Sequence, residues 1–233
     1  MKIAGLEKMT LVDYPGEVAC TIFLYGCNFL CGFCHNPKLV VRKFGKGFSE
    51  EEVLRFLKKR RGKLDAICIS GGEPLMSLDL DFVKKIKDLG YKVKVDTNGS
   101  FPEKLKEMID LGLVDYVAMD VKASKKNYFK VAGVEADVGN IEKSMGLISG
   151  LKNYEFRTTV VEKFHNVSEM KAIGRWLNDV CGKRPKKFFL QGFKSRDNLI
   201  DNSFSNEKDV SEKYLDELTE SISEFFKEVG VRI

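Results

Sequence analysis

This sequence predicts an α/β fold: a partial (βα)6 barrel of the TIM type, built on a parallel sheet. Three observations carry the prediction. Short β-rich apolar runs alternate with helical spacing from about residue 18 onward. The alternation gives six strand–helix units over roughly 210 residues, about 35 each, the length of a right-handed βαβ crossover. A closed barrel has eight units and usually takes about 250 residues, so six units suggest a partial, open barrel. A doubly wound sheet is the alternative arrangement of the same units.

Each element has a local reason. Residues 18–25 form the first apolar run, which stops at Gly26. Residues 49–61 read as a helix with Ser49 as N-cap and Glu52 three positions on, a capping box. Residues 65–70 are a strand entering Gly71-Gly72, and residues 78–89 have helical spacing that ends at Gly90. Residues 91–96 are a strand stopped by Thr97-Asn98-Gly99. Residues 102–111 are a helix with Pro102 in its first turn and Gly112 after it. Strands follow at 116–121, 154–161 and 187–190, and helices at 140–148, 168–180 and 211–229. Residues 1–17 read as an N-terminal extension of a single domain over 1–233.

Composition narrows the function classes. Hydrophobic residues make up 43% of the chain, enough for a folded core, and with 31% charged residues and only five prolines extended disorder is not expected. The longest apolar runs fall short of the roughly 18 residues of a transmembrane helix, and the first residues lack the apolar stretch and cleavage site of a secretory leader. A cytoplasmic protein without a membrane partner is expected. Lys and Arg total 39 against 34 Asp and Glu, a net charge of +5 that suits an acidic partner but does not demand nucleic acid. The basic run Lys58, Lys59, Arg60, Arg61 and Lys63 reads as a solvated helix end.

Six cysteines sharpen the reading. Cys20 and Cys68 fall within strands and read as buried packing residues, and Cys181 receives no role. Cys27, Cys31 and Cys34 fall within eight residues as C-x3-C-x2-C. Without an export signal this is a metal site rather than a disulfide framework. Three thiolates on one loop hold three corners of a cubane iron–sulfur cluster and leave one iron open for chemistry. Zinc is the rival metal. It needs a fourth donor, and His35, adjacent to Cys34, is awkwardly placed to supply it.

The other specialised residues lie at strand ends, where parallel α/β folds place their sites. Ser70-Gly71-Gly72-Glu73-Pro74 follows the second strand, Asp96-Thr97 ends the third, and Asp120 and Lys122 end the fourth. Arg157 and Thr159 share one face of the fifth strand, where a structural ion pair for Arg157 weighs as much as a ligand contact. Asn-Gly and Gly-Gly are also ordinary turn signals, and Lys122 has a solvated surface position as its plain alternative. His165 lies in a polar loop and reads as a surface residue; Trp176 reads as core.

The cysteine spacing with Phe33 before the last cysteine resembles the radical S-adenosylmethionine (SAM) superfamily. Leu11-Val12-Asp13-Tyr14-Pro15-Gly16, Cys27-Asn28 and Cys34-His35-Asn36-Pro37 resemble the single-cluster activating proteins of anaerobic ribonucleoside-triphosphate reductases, within the glycyl-radical-enzyme activases. The resemblance spans about residues 5–195. It implies a 4Fe-4S cluster on Cys27, Cys31 and Cys34 and SAM chelated to the open iron. Phe33, Gly71, Gly72, Glu73, Asp96, Thr97, Asp120, Lys122, Arg157 and Thr159 become the cofactor-binding candidates. Within this set the Gly-Gly-Glu-Pro turn meets the methionyl amino group, Lys122 neutralises the methionyl carboxylate, and Asp96, Thr97 and Asp120 hold a monovalent cation. Gln191-Gly192-Phe193-Lys194 departs from pyruvate formate-lyase activases, which have a His nearby, and favours the reductase-activating branch.

The implied activity is reductive cleavage of SAM to a 5′-deoxyadenosyl radical, which takes hydrogen from a glycine of a partner enzyme. The partners implied are a glycyl-radical enzyme of the anaerobic ribonucleotide reductase type and a one-electron donor such as flavodoxin or ferredoxin. A deazaguanine-synthase-like or tRNA-modifying radical SAM enzyme is one alternative, and a non-catalytic metal-binding adaptor another.

Overall fold

The computed structural model describes residues 1–41 and 45–232. Their elements run β1 (Ile3–Thr10), β2 (Ala19–Leu24), α1 (Pro37–Val40), α2 (Glu50–Arg60), β3 (Ala66–Gly71), α3 (Leu80–Asp88), β4 (Lys92–Thr97), α4 (Pro102–Asp110) and β5 (Tyr116–Asp120). They continue as α5 (Tyr128–Ala132), α6 (Val138–Ser149), β6 (Tyr154–Val160), α7 (Val167–Cys181), β7 (Lys187–Gly192), α8 (Glu212–Ile222) and β8 (Glu228–Arg232). Among the described residues no helix is long and apolar enough to cross a membrane. The chain forms two compact units. The first holds residues 1–28, 38–97 and 103–117, the second 29–37, 98–102 and 118–233.

In the first unit β1 pairs antiparallel with β2, and β2–β3 and β3–β4 are parallel. Ala19, Cys20, Ile22, Leu24, Ile67, Cys68, Ile69, Val93 and Val95 are fully buried, as strands covered on both faces require. The capping box of α2 forms: the Glu52 amide donates to Ser49 Oγ at 3.1 Å, and the Ser49 amide donates to Glu52 Oε2 at 2.7 Å. α3 begins behind Asp79, whose carboxylate accepts the Asp81 amide.

The residues read as an extension contribute β1. Its alternation is hidden in the sequence by register shifts between Ile3 and Gly5 and between Glu7 and Thr10.

In the second unit β6–β7 and β7–β8 are parallel. α7 starts at the Asn166 cap, whose Oδ1 accepts the Glu169 amide at 3.0 Å, and buries Met170, Ile173, Trp176 and Leu177. The helix expected over residues 211–229 stops at Ile222 in a short 3-10 turn, and the chain ends as β8. The break follows from packing. Phe226 stacks on Phe188 at 4.4 Å, and the Arg232 guanidinium makes a bidentate pair with buried Glu155 at 2.6 and 2.7 Å. Cys20 and Cys68 are buried as expected.

Candidate active site

In the second unit the segment holding Cys31 and Cys34 is fixed by its backbone. The Leu30 amide donates to Ala132 O at 2.9 Å, the Cys34 amide to Cys31 O at 3.0 Å, and the Asp201 amide to Gly32 O at 3.0 Å. Gly133 closes α5 with φ +72°, and a Cβ there would stand 2.2 Å from Leu30 O, so only glycine lets the helix end meet the loop. Phe33 is buried between Phe164 and Phe204, with ring centroids 6.3 and 6.0 Å away. The Asn36 amide points at Cys34 Sγ at 3.4 Å.

Beside this loop stands a charge cluster carried by β5, β6 and the residues after β5. Arg157 Nε donates to Asp120 Oδ1 at 2.9 Å, and Lys122 Nζ donates to Asp120 Oδ2 at 3.0 Å. Burial works against the Asp120 charge, but Arg157 and Lys122 outweigh it and hold the carboxyl well below the usual range. Burial likewise disfavours charged Lys122, yet Asp120 raises its pKa above that of a free lysine. Burial pushes the Cys31 thiol up, and the Lys122 ammonium is the largest influence pulling it down. Thr159, half-buried, lies in register with Gln191 on β7.

In the first unit, the ends of β2, β3 and β4 carry a second set. The Gly72 amide donates to Leu24 O and the Glu73 amide to Gly26 O, at 3.0 and 2.8 Å. A Cβ on Gly72 would stand 2.1 Å from Gly26 O and 3.1 Å from Cys27 Cβ. The turn is therefore glycine because the backbone before Cys27 passes against it. Buried Glu73 accepts the Thr97 hydroxyl at 2.8 Å and the Leu75 amide at 3.1 Å through one oxygen, which ties the β3 turn to the end of β4. Asp96 is ion-paired with buried Lys94, whose Nζ also lies 3.7 Å from Cys68 Sγ.

The family model of the Radical SAM superfamily matches residues 21–174. The chain belongs to the radical SAM superfamily. A protein of Methanocaldococcus jannaschii described as a candidate glycyl-radical enzyme activating enzyme is 32% identical over 226 residues, 92% of this chain and 93% of that one. The pyruvate formate-lyase-activating enzyme of Clostridium pasteurianum is 32% identical over 131 residues, about half of either chain (52% of each). This radical SAM chain is thus homologous to glycyl-radical-enzyme activating enzymes. A radical SAM methyltransferase from Sphaerobacter thermophilus superposes with a TM-score of 0.70 at 12% identity, covering 96% of this chain and 68% of that one, a likeness of fold alone.

Radical SAM proteins use a 4Fe-4S cluster and SAM, and the donor set here fits the cluster. Three soft sulfur donors lie on one short segment, and Cys31 has a cation beside it to favour the thiolate that iron takes. Cys34 Sγ already faces an N–H donor, the kind of contact that tunes cluster sulfurs. His35, the fourth donor a zinc site would need, is engaged elsewhere. Its Nε2–H donates to Lys194 O at 2.8 Å, and its ring stacks on Phe193 at 5.5 Å. Among the described residues no three His, Cys, Asp or Glu side chains are gathered at metal-holding spacing, so the fit rests on the donors and their surroundings.

Several candidates take partners that the sequence did not show. Asp96 and Asp120 meet the chain's own cations, Arg157 forms the ion pair that weighed equally with a ligand contact, and Lys122 pairs with Asp120. His165 corrects the surface reading: it is fully buried. The Val161 amide donates to its Nδ1 at 3.0 Å, so its Nε2 carries the proton and donates to Lys122 O at 2.8 Å. Burial lowers its pKa and keeps it neutral. The polar look of residues 162–166 concealed a ring that bridges two backbone groups, and only the spatial return to Lys122 gives it that place. Buried Lys94, Glu155 and its partner Arg232 were also missed, since a charged residue in a strand carries no mark of its partner.

Proposed function

We propose that this protein installs a glycyl radical on a partner enzyme, of the anaerobic ribonucleoside-triphosphate reductase type. The observation that carries the reading is the C-x3-C-x2-C segment in a chain that matches an activase relative over nine-tenths of both lengths. Bound, the cluster and SAM supply one-electron cleavage of a carbon–sulfur bond and a 5′-deoxyadenosyl radical that takes hydrogen from glycine.

The chain's own residues bind, orient and exclude water. Cys27, Cys31 and Cys34 hold the cluster as thiolates. Lys122, fixed by Asp120 through its ammonium and by His165 through its carbonyl, presents a positive charge toward a carboxylate such as the methionyl end of SAM. Gly71, Gly72 and Glu73, with Thr97 locking the Glu73 carboxylate, shape the turn that meets the methionyl amino group. Arg157 fixes Asp120, and Thr159 offers a hydroxyl on the same strand face. Phe33 and its aromatic neighbours keep water from the cysteine segment. Lys94 pairs with Asp96, and Lys122 and Arg157 both pair with Asp120, so these side chains bring positive charge to the carboxylates expected to hold a monovalent cation. A flavodoxin or ferredoxin supplies the electron.

The test is anoxic reconstitution with iron and sulfide, then incubation with SAM, reductant and a candidate reductase subunit. A glycyl radical on the subunit in electron paramagnetic resonance, stoichiometric with methionine released, is expected. SAM cleavage with no protein radical on any glycyl-radical enzyme tried would move the reading to a small-molecule or tRNA substrate. Absence of iron after reconstitution would leave only the adaptor reading.

A further inference from the structure

We propose that the face of the second unit formed by Leu30, Phe129 and the lysines around them docks a small acidic one-electron carrier protein. The inference deepens the activase reading and rests on it. Two large apolar side chains lie open in the described residues of this unit, Phe129 at 65% exposure and Leu30 at 45%. They belong to one place. Leu30 is bonded through its amide to Ala132 O, and the Gly133 amide that closes the same helix donates to Phe129 O at 3.0 Å. Open on linked backbone, Phe129 and Leu30 give this face an apolar centre rimmed by polar side chains, the pattern of an interaction surface.

The surrounding charge says which partner. Lys125, Lys126 and Lys130 are exposed on the same short stretch. Lys130 stands 5.6 Å over the Phe164 ring, and Lys163 stands 5.0 Å over Phe204. Lys130 and Lys163 line a cleft of about 310 Å³ with Asn127, Asn166 and Ser168. Exposed Glu135, Asp137 and Glu162 flank this stretch in the sequence, and three other carboxylates are engaged. Glu142 pairs with Lys125 at 2.8 Å and Glu207 with Lys163 at 3.5 Å, while Glu169 turns inward to the Ser124 amide and Asn127. Lys126 and Lys130 have no carboxylate partner among the described residues. An apolar centre with a basic rim and a basic cleft complements an acidic surface with an apolar middle. Position selects the electron carrier among acidic proteins. Leu30 is peptide-bonded to Cys31, so a protein seated here abuts the cysteine segment itself. In the transfer the carrier loses one electron and the cluster gains it.

The experiment titrates a purified flavodoxin into the full-length reconstituted protein by calorimetry at low and high salt. Phe129→Ser, and Lys126→Glu combined with Lys130→Glu, are each expected to weaken binding by about tenfold or more, with the charge variant also losing most of the salt dependence. SAM cleavage driven by dithionite should stay within about twofold of wild type in both, because a small reductant needs no docking face. Binding unmoved by both variants, with dithionite-driven cleavage intact, overturns the docking face alone. Loss of binding to the glycyl-radical partner in place of flavodoxin overturns the choice of occupant. Absence of dithionite-driven cleavage in the wild-type protein overturns the activase reading instead.

Discussion

Arg157 Nε reaches from β6 to Asp120 Oδ1 on β5 at 2.9 Å, and the second carboxylate oxygen takes Lys122 Nζ at 3.0 Å. One carboxylate thus pairs with two cations, each with only 14% of its side chain exposed, and the trio keeps a net positive charge. Asp120→Asn should cost about 2–3 kcal/mol, below the full cost of orphaning a buried charge because Asp120 keeps 27% exposure. The folded carboxyl has a lowered pKa, so the unfolded chain binds its proton first on acidification. The stability it contributes is complete above the ordinary aspartate pKa of about 4 and is lost as pH falls below that toward the folded value. Urea midpoints at neutral pH and near pH 3.5 should draw wild type and variant together at the acid end. A constant gap at both would remove the ion pair from the account.

Gly72→Ala should fail through the chain before it fails through any ligand. Its Cβ would sit 2.1 Å from Gly26 O, and backbone yields less readily than a side-chain tip. Overpacking of this kind costs about 1–3 kcal/mol. For a chain of this size each kcal/mol moves Tm by about 2–4 °C, so the cluster-free variant should melt about 2–12 °C lower. An unchanged Tm with weakened SAM binding would return Gly72 to a purely ligand-facing role.

Local patterns were legible in the sequence, and long-range partners were not. The α2 capping box, the parallel strands and the cysteine spacing are local patterns, and they were legible residue by residue. β1 was not, since two register shifts break its alternation, and β8 was not, since the stacking of Phe226 on Phe188 ends the helical run. Within the candidate site the residue types at the strand ends were legible but not their partners. Asp96 with Lys94, Asp120 with Arg157, and His165 with Lys122 O are separated by 2, 37 and 43 positions, and only the first pair lies within reach of a local reading.

His165 makes a prediction about neutral pH. The folded pKa is lowered by burial, so below about pH 6.5 the unfolded chain takes a proton that the folded ring refuses. Stability should be level above about pH 7.5 and fall between about pH 7 and 5.5, by at most about 1.4 kcal/mol per pH unit for one proton. His165→Gln should be less stable at pH 8 and should flatten that slope. A slope that survives in the variant would assign it to other groups.

The last prediction separates Cys31 from His35 as donors. Cys31 is buried, its loop is fixed at Leu30, Gly32 and Cys34 by backbone bonds, and Lys122 favours its thiolate. His35 sits next to Cys34 but is turned to Lys194 O and Phe193. If sulfur alone holds the metal, Cys31→Ala should reduce iron bound after anoxic reconstitution to less than about a tenth of wild type, since a cubane with two protein thiolates lacks the anchoring of three. His35→Ala should keep its iron and lose only the solvent-exposed bond to Lys194 O and the ring stack, about 0.5–1 kcal/mol of folding stability. Iron and sulfide analysis beside a urea titration reads both quantities on the same samples. A zinc site would reverse the pattern: His35→Ala would lose metal, and the metal retained by wild type would come without sulfide. Stoichiometric sulfide in wild type and in His35→Ala, and its loss in Cys31→Ala, is the outcome expected of a three-thiolate donor set.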